Sequence, residues 1–249
     1  MRETTTIYWS SSLRNPSPPD QWSLKDPEPV FDYFLNKNVS TDLKNSIFAC
    51  PASRDFFKNL FVFKSNIDDM CVWPEGYLSE VVNKKIGDLD NFGNKLPITQ
   101  VRESALDGYI DLIYGINFVM FADKPLRIRL SSPSYPPSAP SKGSMFTSGE
   151  FDFGRWYRPA VLNWFVPLEN TEFSIKKDDG LFYAQALTDD KIIFKKFMMN
   201  DDIRNISKTF MDTRRLDGER LTLEERYEAT EKKNMQSAIL EEIKKSLLD

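Results

Sequence analysis

The chain has 249 residues, a net charge of -4 and 13% aromatic residues, 19 of its residues being Phe, so it can bury a sizeable core and wholesale disorder is excluded. The acidic balance, with a pI near 5.2, argues against a dedicated nucleic-acid binder, whose phosphate contacts need a concentrated excess of Lys and Arg. Histidine is absent, which removes the Ser-His-Asp and Cys-His nucleophile pairs and the usual His-containing zinc and iron sites.

The opening MRETTTIYWSSS has no apolar core of signal-peptide length, and no later run approaches the roughly 20 apolar residues of a membrane span. A protein kept in a cytoplasm, without membrane partners, is the expectation. Pro16, Pro18, Pro19, Pro27 and Pro29 make the N-terminal third irregular, since each pushes its predecessor away from helix. Val30, Phe31, Phe34 and Leu35 recur at helical spacing and predict a short helix over 29–36. A second short helix is predicted over Asp55–Leu60, leading into a strand at Phe61–Lys64. Cys50 and Cys71 are the only two cysteines, and a reducing compartment favours two small buried thiols over a disulfide. The stretch Gly87–Pro97, with Gly and Asn repeated, reads as a loop.

From Tyr109 the pattern turns to strands. Tyr109–Tyr114 and Ile116–Phe121 are β-prone and split at Gly115. Leu126–Leu130 alternates, with Arg127 and Arg129 on a wet face. Residues 131–144, rich in Pro and Ser, read as a loop or a local arm, not a strand. Strands follow at Glu150–Phe153, Ala160–Val166, Glu172–Lys176, Leu181–Leu187 and Ile192–Phe197. Asp178-Asp179-Gly180 and Thr188-Asp189-Asp190 supply turn chemistry between the later ones. Short strands at this spacing predict a mainly β fold, an antiparallel sandwich or jelly-roll-like core over 1–211.

The end is helical. Asn200 caps a helix carrying Ile203, Ile206 and Phe210. Thr222 and Glu225 form a capping box, in which each side chain satisfies an exposed backbone donor. The helix they start is expected to continue to Leu248, with Glu228–Lys232 and Glu241–Lys245 at i,i+4 spacing. Its apolar stripe, Leu223, Tyr227, Ile239, Ile243 and Leu247, is narrow and its other faces are charged. That pattern predicts a C-terminal helical arm over 212–249, an interaction helix that docks on another chain.

The stretch GEFDFGRWYRP, Gly149–Pro159, admits two readings. In strand register Phe151 and Phe153 share one face, Glu150 and Asp152 point the other way, and Gly154 permits a turn. Arg155 or Arg158 then pairs locally with Asp152 or Glu150, and the stretch is a corner. In the other reading Arg155, Trp156, Tyr157 and Arg158, with Asp152, form a recognition surface, because Trp, Tyr and Arg dominate interface hot spots. The corner is favoured, since buried strand aromatics are the commoner case. The pairs Asp68-Asp69, Asp178-Asp179, Asp189-Asp190 and Asp201-Asp202 could hold a divalent cation through hard oxygen ligands, but turn and cap chemistry explains them better. Lys176, Lys177, Lys191, Lys195 and Lys196 form a mild basic patch on strands expected to be adjacent, read as a solvated sheet face. There is no phosphate loop and no dinucleotide fingerprint.

The order GEFDFGRWYRP, LNWFVP and KKDDGLFYAQALTDDKIIFKKF, with IYWSSS and FACPASRDFFKNLFVFKS earlier, resembles an uncharacterised protein family of tailed bacteriophages and some bacteria. The resemblance implies a phage origin and a β-rich fold. It brings no catalytic residue, no metal ligand and no cofactor. The leading expectation is a non-enzymatic interaction or structural protein. It would assemble through its sandwich and C-terminal helix with itself or another phage protein, as a homo-oligomer or assembly subunit in the host cytoplasm or the virion. The alternative is a small-molecule or nucleotide-binding sandwich, a hydrolase with Asp152 on a divalent metal and Arg155 and Arg158 on a phosphate.

Overall fold

The computed structural model describes residues 3–11, 22–32, 50–66, 68–72, 98–133, 143–156, 160–170, 172–212, 215–216, 219–232 and 234–248. Its strands are β1 (Thr4–Ser11), β2 (Glu28–Pro29), β3 (Leu60–Lys64), β4 (Asp69–Val72), β5 (Ile98–Glu103), β6 (Tyr109–Ala122) and β7 (Arg127–Ser131). They continue with β8 (Met145–Phe146), β9 (Gly149–Asp152), β10 (Ala160–Pro167), β11 (Glu172–Ile175), β12 (Gly180–Ala186), β13 (Lys191–Lys196) and, within the segment expected to be a helical arm, the paired β14 (Arg215–Leu216) and β15 (Glu219–Arg220). The helices are α1 (Pro51–Phe57), α2 (Asp201–Asp212), α3 (Leu223–Lys232) and α4 (Met235–Lys245). The fold is mainly β, as the sequence predicts.

Two sheets face each other. One is six-stranded, in the order β13-β1-β6-β10-β8 with β5 also on β6; the other is five-stranded, β2-β3-β12-β7-β9. Strands that are neighbours in sequence change sheets repeatedly, for example β6 to β7 and β12 to β13. Their inner faces meet through aromatic rings. Phe118 of the first sheet lies 5.9 Å from Phe63 and 5.6 Å from Phe182 of the second, and Phe146 lies 5.8 Å from Phe182. Trp9 meets Trp22 edge-on at 5.3 Å, one of the favoured geometries for ring quadrupoles. Where one face is wet the alternation holds: Ile128 and Leu130 are buried while Arg127 and Arg129 are exposed.

The N-terminal segment departs from the expected irregularity. Thr4–Ser11 is a strand, and β-branched Thr and Ile with Tyr and Trp suit it. It lies inside its sheet, between β6 and β13, and it pairs parallel with β13 from Thr4↔Lys191 to Trp9↔Lys196. The sandwich is therefore not wholly antiparallel. Nor is β6 split at Gly115: it runs unbroken for 14 residues. The pairing with β10 instead slips its register, Ala160↔Phe118 giving way to Leu162↔Tyr114 across the glycine. Gly115 marks an irregularity within a strand, not its end.

Of the first helix predicted over 29–36, Pro29 instead ends strand β2, residues 30–32 are helical and 33–36 lie outside the described residues, as does Gly87–Pro97. The next helix begins at Pro51 rather than Asp55, because Pro suits the first helical turn, where its missing N–H costs nothing. That start also corrects the expectation for Cys50, which is exposed rather than buried. Cys71 sits on β4 and its side chain lies outside the described residues. The backbone N–H groups of Ser53 and Ala52 hold the Cys50 thiol below its ordinary pKa, although no cap hydrogen bond closes. Cys50 should accordingly react at once with an aromatic disulfide reagent under native conditions, and Cys50→Ser should abolish that fast phase. Labelling that waits for denaturant would show the thiol to be covered.

The C-terminal caps form as predicted. Ile203 N–H donates to Asn200 Oδ1 at 2.8 Å. Thr222 N–H donates to Glu225 Oε2 at 2.7 Å, and Glu225 N–H donates to Thr222 Oγ1 at 3.3 Å. The helix they open is not continuous, however. It breaks at Asn234, whose φ of 50° is left-handed, a conformation Asn tolerates better than most residues. Lys245 pairs with Glu242, not Glu241, and the Lys232 side chain lies outside the described residues.

The surface that the stripe docks on is its own sandwich. Tyr227, Ile239 and Ile243 are buried within the same core as the sheets, whereas Leu223 and Leu247, each 36% exposed, lie at its margin. The segment after α4 is stitched to the end of β13: Met198 N–H donates to Ser246 O at 2.8 Å and Leu248 N–H donates to Lys196 O at 2.9 Å. The expectation that another chain covers this helix is corrected for Tyr227, Ile239 and Ile243, which the protein's own core buries. No helix among the described residues is long and apolar enough to cross a membrane.

Candidate functional site

The corner at Gly149–Trp156 is built on the pairing of β9 with β7, which sets Asp152 opposite Arg127 and Glu150 opposite Arg129. Glu150 takes both arginines of β7, Arg127 and, at 3.2 Å, Arg129. Asp152 behaves differently because the strand ends on it. Its side chain, 6% exposed, turns inward, where Oδ1 accepts from Leu126 N–H and Gly154 N–H, each at 3.0 Å. Its Oδ2 accepts from Arg155 Nε at 2.8 Å, and its own N–H donates to the Tyr227 hydroxyl at 2.8 Å.

Arg155 carries this hub across to α3. Its Nη1 lies 3.2 Å from Glu231 and 3.4 Å from Glu224, and the guanidinium stands 4.6 Å from the Tyr227 ring centre. Burial works against its charge, but the hydrogen bond and charge of Asp152, with Glu224 and Glu231, outweigh it and hold the group above its ordinary pKa. Burial likewise pushes the Tyr227 phenol up. A proton-transfer role for this phenol at neutral pH has no support in that shift.

Gly154 explains the tightness of the turn. A Cβ there would stand 2.4 Å from Lys124 O and 2.7 Å from Pro125 Cα, an overlap with main chain and not with a yielding side chain. Phe153 locks the two segments by donating its N–H to Leu126 O at 2.9 Å and accepting from Ala122 N–H at 3.0 Å. Gly154→Ala should therefore destabilise by about 1–3 kcal/mol or more through overpacking, measured by urea unfolding. A variant of unchanged midpoint would show that the loop can yield. Trp156 is 7% exposed, its ring 4.7 Å from Phe151 and beneath the Arg226 guanidinium at 5.4 Å. Tyr157 and Arg158 lie outside the described residues.

Of the predicted site residues, then, the structure brings Asp152, Arg155 and Trp156 together at the corner and adds Tyr227 from the predicted interaction helix. The valences of Asp152 and Arg155 are taken up by the fold. A metal on Asp152 or a phosphate on Arg155 would have to displace main-chain donors or carboxylates already in place. Among the described residues no cluster of three or more Cys, Asp or Glu is arranged to hold a metal ion.

The acidic pairs serve turn hydrogen bonds and ion pairs within the fold, several of them between segments far apart in sequence. Asp68 accepts from Lys177 N–H and Asp179 from Lys176 N–H, each at 2.8 Å, while Asp178 pairs with Lys25 at 2.5 Å. Asp201 pairs with Arg204 at 2.7 Å, and Asp189 with Lys58. Asp190 reaches furthest, binding Lys124 at 2.7 Å and Thr5 Oγ1 at 2.6 Å, contacts that hold its carboxyl below the usual range. Lys124 also meets Glu3 at 2.9 Å. Clefts of about 320 and 440 Å³ lie on either side of Lys124-Pro125, the first lined by Thr5, Leu187 and Asp190, the second by Asp123, Glu231 and Ser237. Sequence reasoning missed this junction, for Lys124 stands in no motif.

The basic patch dissolves. Lys176 and Lys177 follow β11, which pairs with β4, whereas β13 pairs with β1, so the two sets are not on adjacent strands. Lys196 turns toward the core margin, pairing with Asp26 at 2.9 Å and lying 5.1 Å from the Trp9 ring. No family model, no curated protein and no solved structure matches the chain.

Proposed function

We propose that the chain is a non-enzymatic interaction or structural protein, phage-encoded as its motifs suggest. It would join itself or another phage protein through the surface of a β-sandwich that carries its own C-terminal helices. One observation carries this reading: the corner where ligand chemistry was most expected is occupied by its own main chain, Arg155 and α3. Nothing in that arrangement prepares a nucleophile, a proton donor of tuned pKa or an open ligand position, which catalysis would require.

Sedimentation of the purified chain over a range of concentrations, with mass spectrometry of purified particles and of material co-purifying from infected cells, tests the reading. Self-association, presence in particles or a stoichiometric phage partner is expected. A monomer absent from particles and without partner would overturn it, and stabilisation by a nucleotide with Mg²⁺ in a thermal-shift panel would favour the ligand-binding alternative.

A further inference from the structure

The two faces of β7 meet different surroundings. Ile128 and Leu130 enter the core, whereas Arg127 and Arg129 stand on the outer face of the five-stranded sheet, their side chains 71% and 54% exposed. The residues of β12 directly beside them share that face. Gln185 pairs in register with Arg129, and Leu187, just past the strand and exposed, donates its N–H to Arg127 O at 2.9 Å. Gln185 Nε2 donates to Phe56 O at 3.1 Å. Helix α1 therefore covers the face only up to this line and ends there, with Phe56 exposed.

The face opens at one end into the cleft of about 320 Å³, whose walls include Leu187, Arg127, Pro125 and Leu126. That volume admits one large apolar side chain and lies at the low end of the range of ligand pockets. Charge divides on either side of it. Arg127 and Arg129 share one carboxylate, Glu150, which takes Nη2 of the first and Nε and Nη2 of the second. A guanidinium carries five N–H donors, so one carboxylate leaves most of these for another acceptor. Across the cleft the balance is reversed, because Lys124 serves two carboxylates, Asp190 and Glu3. Asp152, the other acid of the cleft, is held by Arg155. A uniformly acidic ligand is disfavoured by this division. An apolar residue with carboxylates on one side only is matched by it.

We propose that this face docks an extended segment of another protein with the pattern apolar-x-acid-x-acid. The apolar side chain fills the cleft beside Leu187, and the two carboxylates take Arg127 and Arg129. Alternate residues of an extended segment stand about 6.6 Å apart, as do alternate residues of β7, so the two acids keep step with the two arginines. A nucleic-acid strand would supply the charge but not the apolar anchor. The proposal rests on the interaction reading above and names the partner chemistry.

The probe is a fluorescein-labelled peptide, Gly-Ser-Leu-Ser-Glu-Ser-Glu-Ser, titrated with the full chain and followed by anisotropy. Saturable binding that weakens with added salt is expected. The same peptide with Gln in place of both Glu should bind about tenfold more weakly, through loss of two exposed ion pairs. Ser in place of Leu should cost about tenfold or more, through loss of the buried anchor. The double variant Arg127→Ser, Arg129→Ser, altered only at exposed positions, should bind the Glu and Gln peptides alike while still preferring Leu to Ser, a result that a misfolded chain would not give. Absence of saturable binding, or indifference of the native chain to either peptide change, would overturn the site. An oligonucleotide that displaces the peptide at lower concentration, or self-association that blocks it, would give the face another occupant and overturn it equally. A chain that ignores the peptide yet is found in particles overturns this face alone and leaves the interaction reading standing.

Discussion

Removal of residues 222–249 should leave a chain that does not fold. The lost segment contributes Tyr227, Met235, Ile239 and Ile243, each 5% exposed or less, to the same core as the sheets. Burial of one large apolar side chain stabilises by about 1.5–3 kcal/mol, and whole domains are stable by only about 5–15 kcal/mol. Four such losses are of the same order as the total. The cut also strips partners from Asp152 N–H, Met198 N–H and Lys196 O, groups the fold has arranged to pair. Far-ultraviolet circular dichroism and a urea titration of the chain ending at Leu221 would check this. A cooperative transition near that of the full chain would show the helices to be an appendage. Ile243→Ala, the same test in miniature, should cost about 2–5 kcal/mol.

What the sequence conveyed, and what it withheld, follows from the range of the interactions involved. Arg127–Ser131 was legible because one face meets water, and alternation is the trace of a wet face. Asn200 and the Thr222–Glu225 box were legible because a cap is closed by residues three apart. β1 was not legible: Ile7, Tyr8, Trp9 and Ser10 are all buried, so no alternation marks it, and the strand is completed by β13 at the far end of the chain. The corner divides the same way. Its Asp152–Arg155 pair could be read at a spacing of three, but Tyr227, which completes it, lies 75 residues further on. A narrow stripe on a charged helix is equally suited to a foreign surface and to its own sheet, and only the packing decides between them.

Trp156→Ala is expected to lower stability by about 3–5 kcal/mol while leaving any association of the residual folded fraction intact. The ring is buried, with Phe151 4.7 Å away and the Arg226 guanidinium 5.4 Å from its centre. Arg226 is itself only 8% exposed, and a cation withdrawn from water over an indole contributes about 2 kcal/mol or more. Truncation thus removes both the apolar contact beneath and part of what makes the buried cation tolerable. Trp156→Phe keeps a ring face for Arg226 and should recover part of the loss. Urea unfolding gives the stability, and sedimentation of each variant gives the association. An interface anchor would behave in the opposite way, since its loss spares the folding transition and abolishes assembly. An alanine variant with an unchanged midpoint and lost self-association would make Trp156 a contact residue after all, and the corner would then serve to present it.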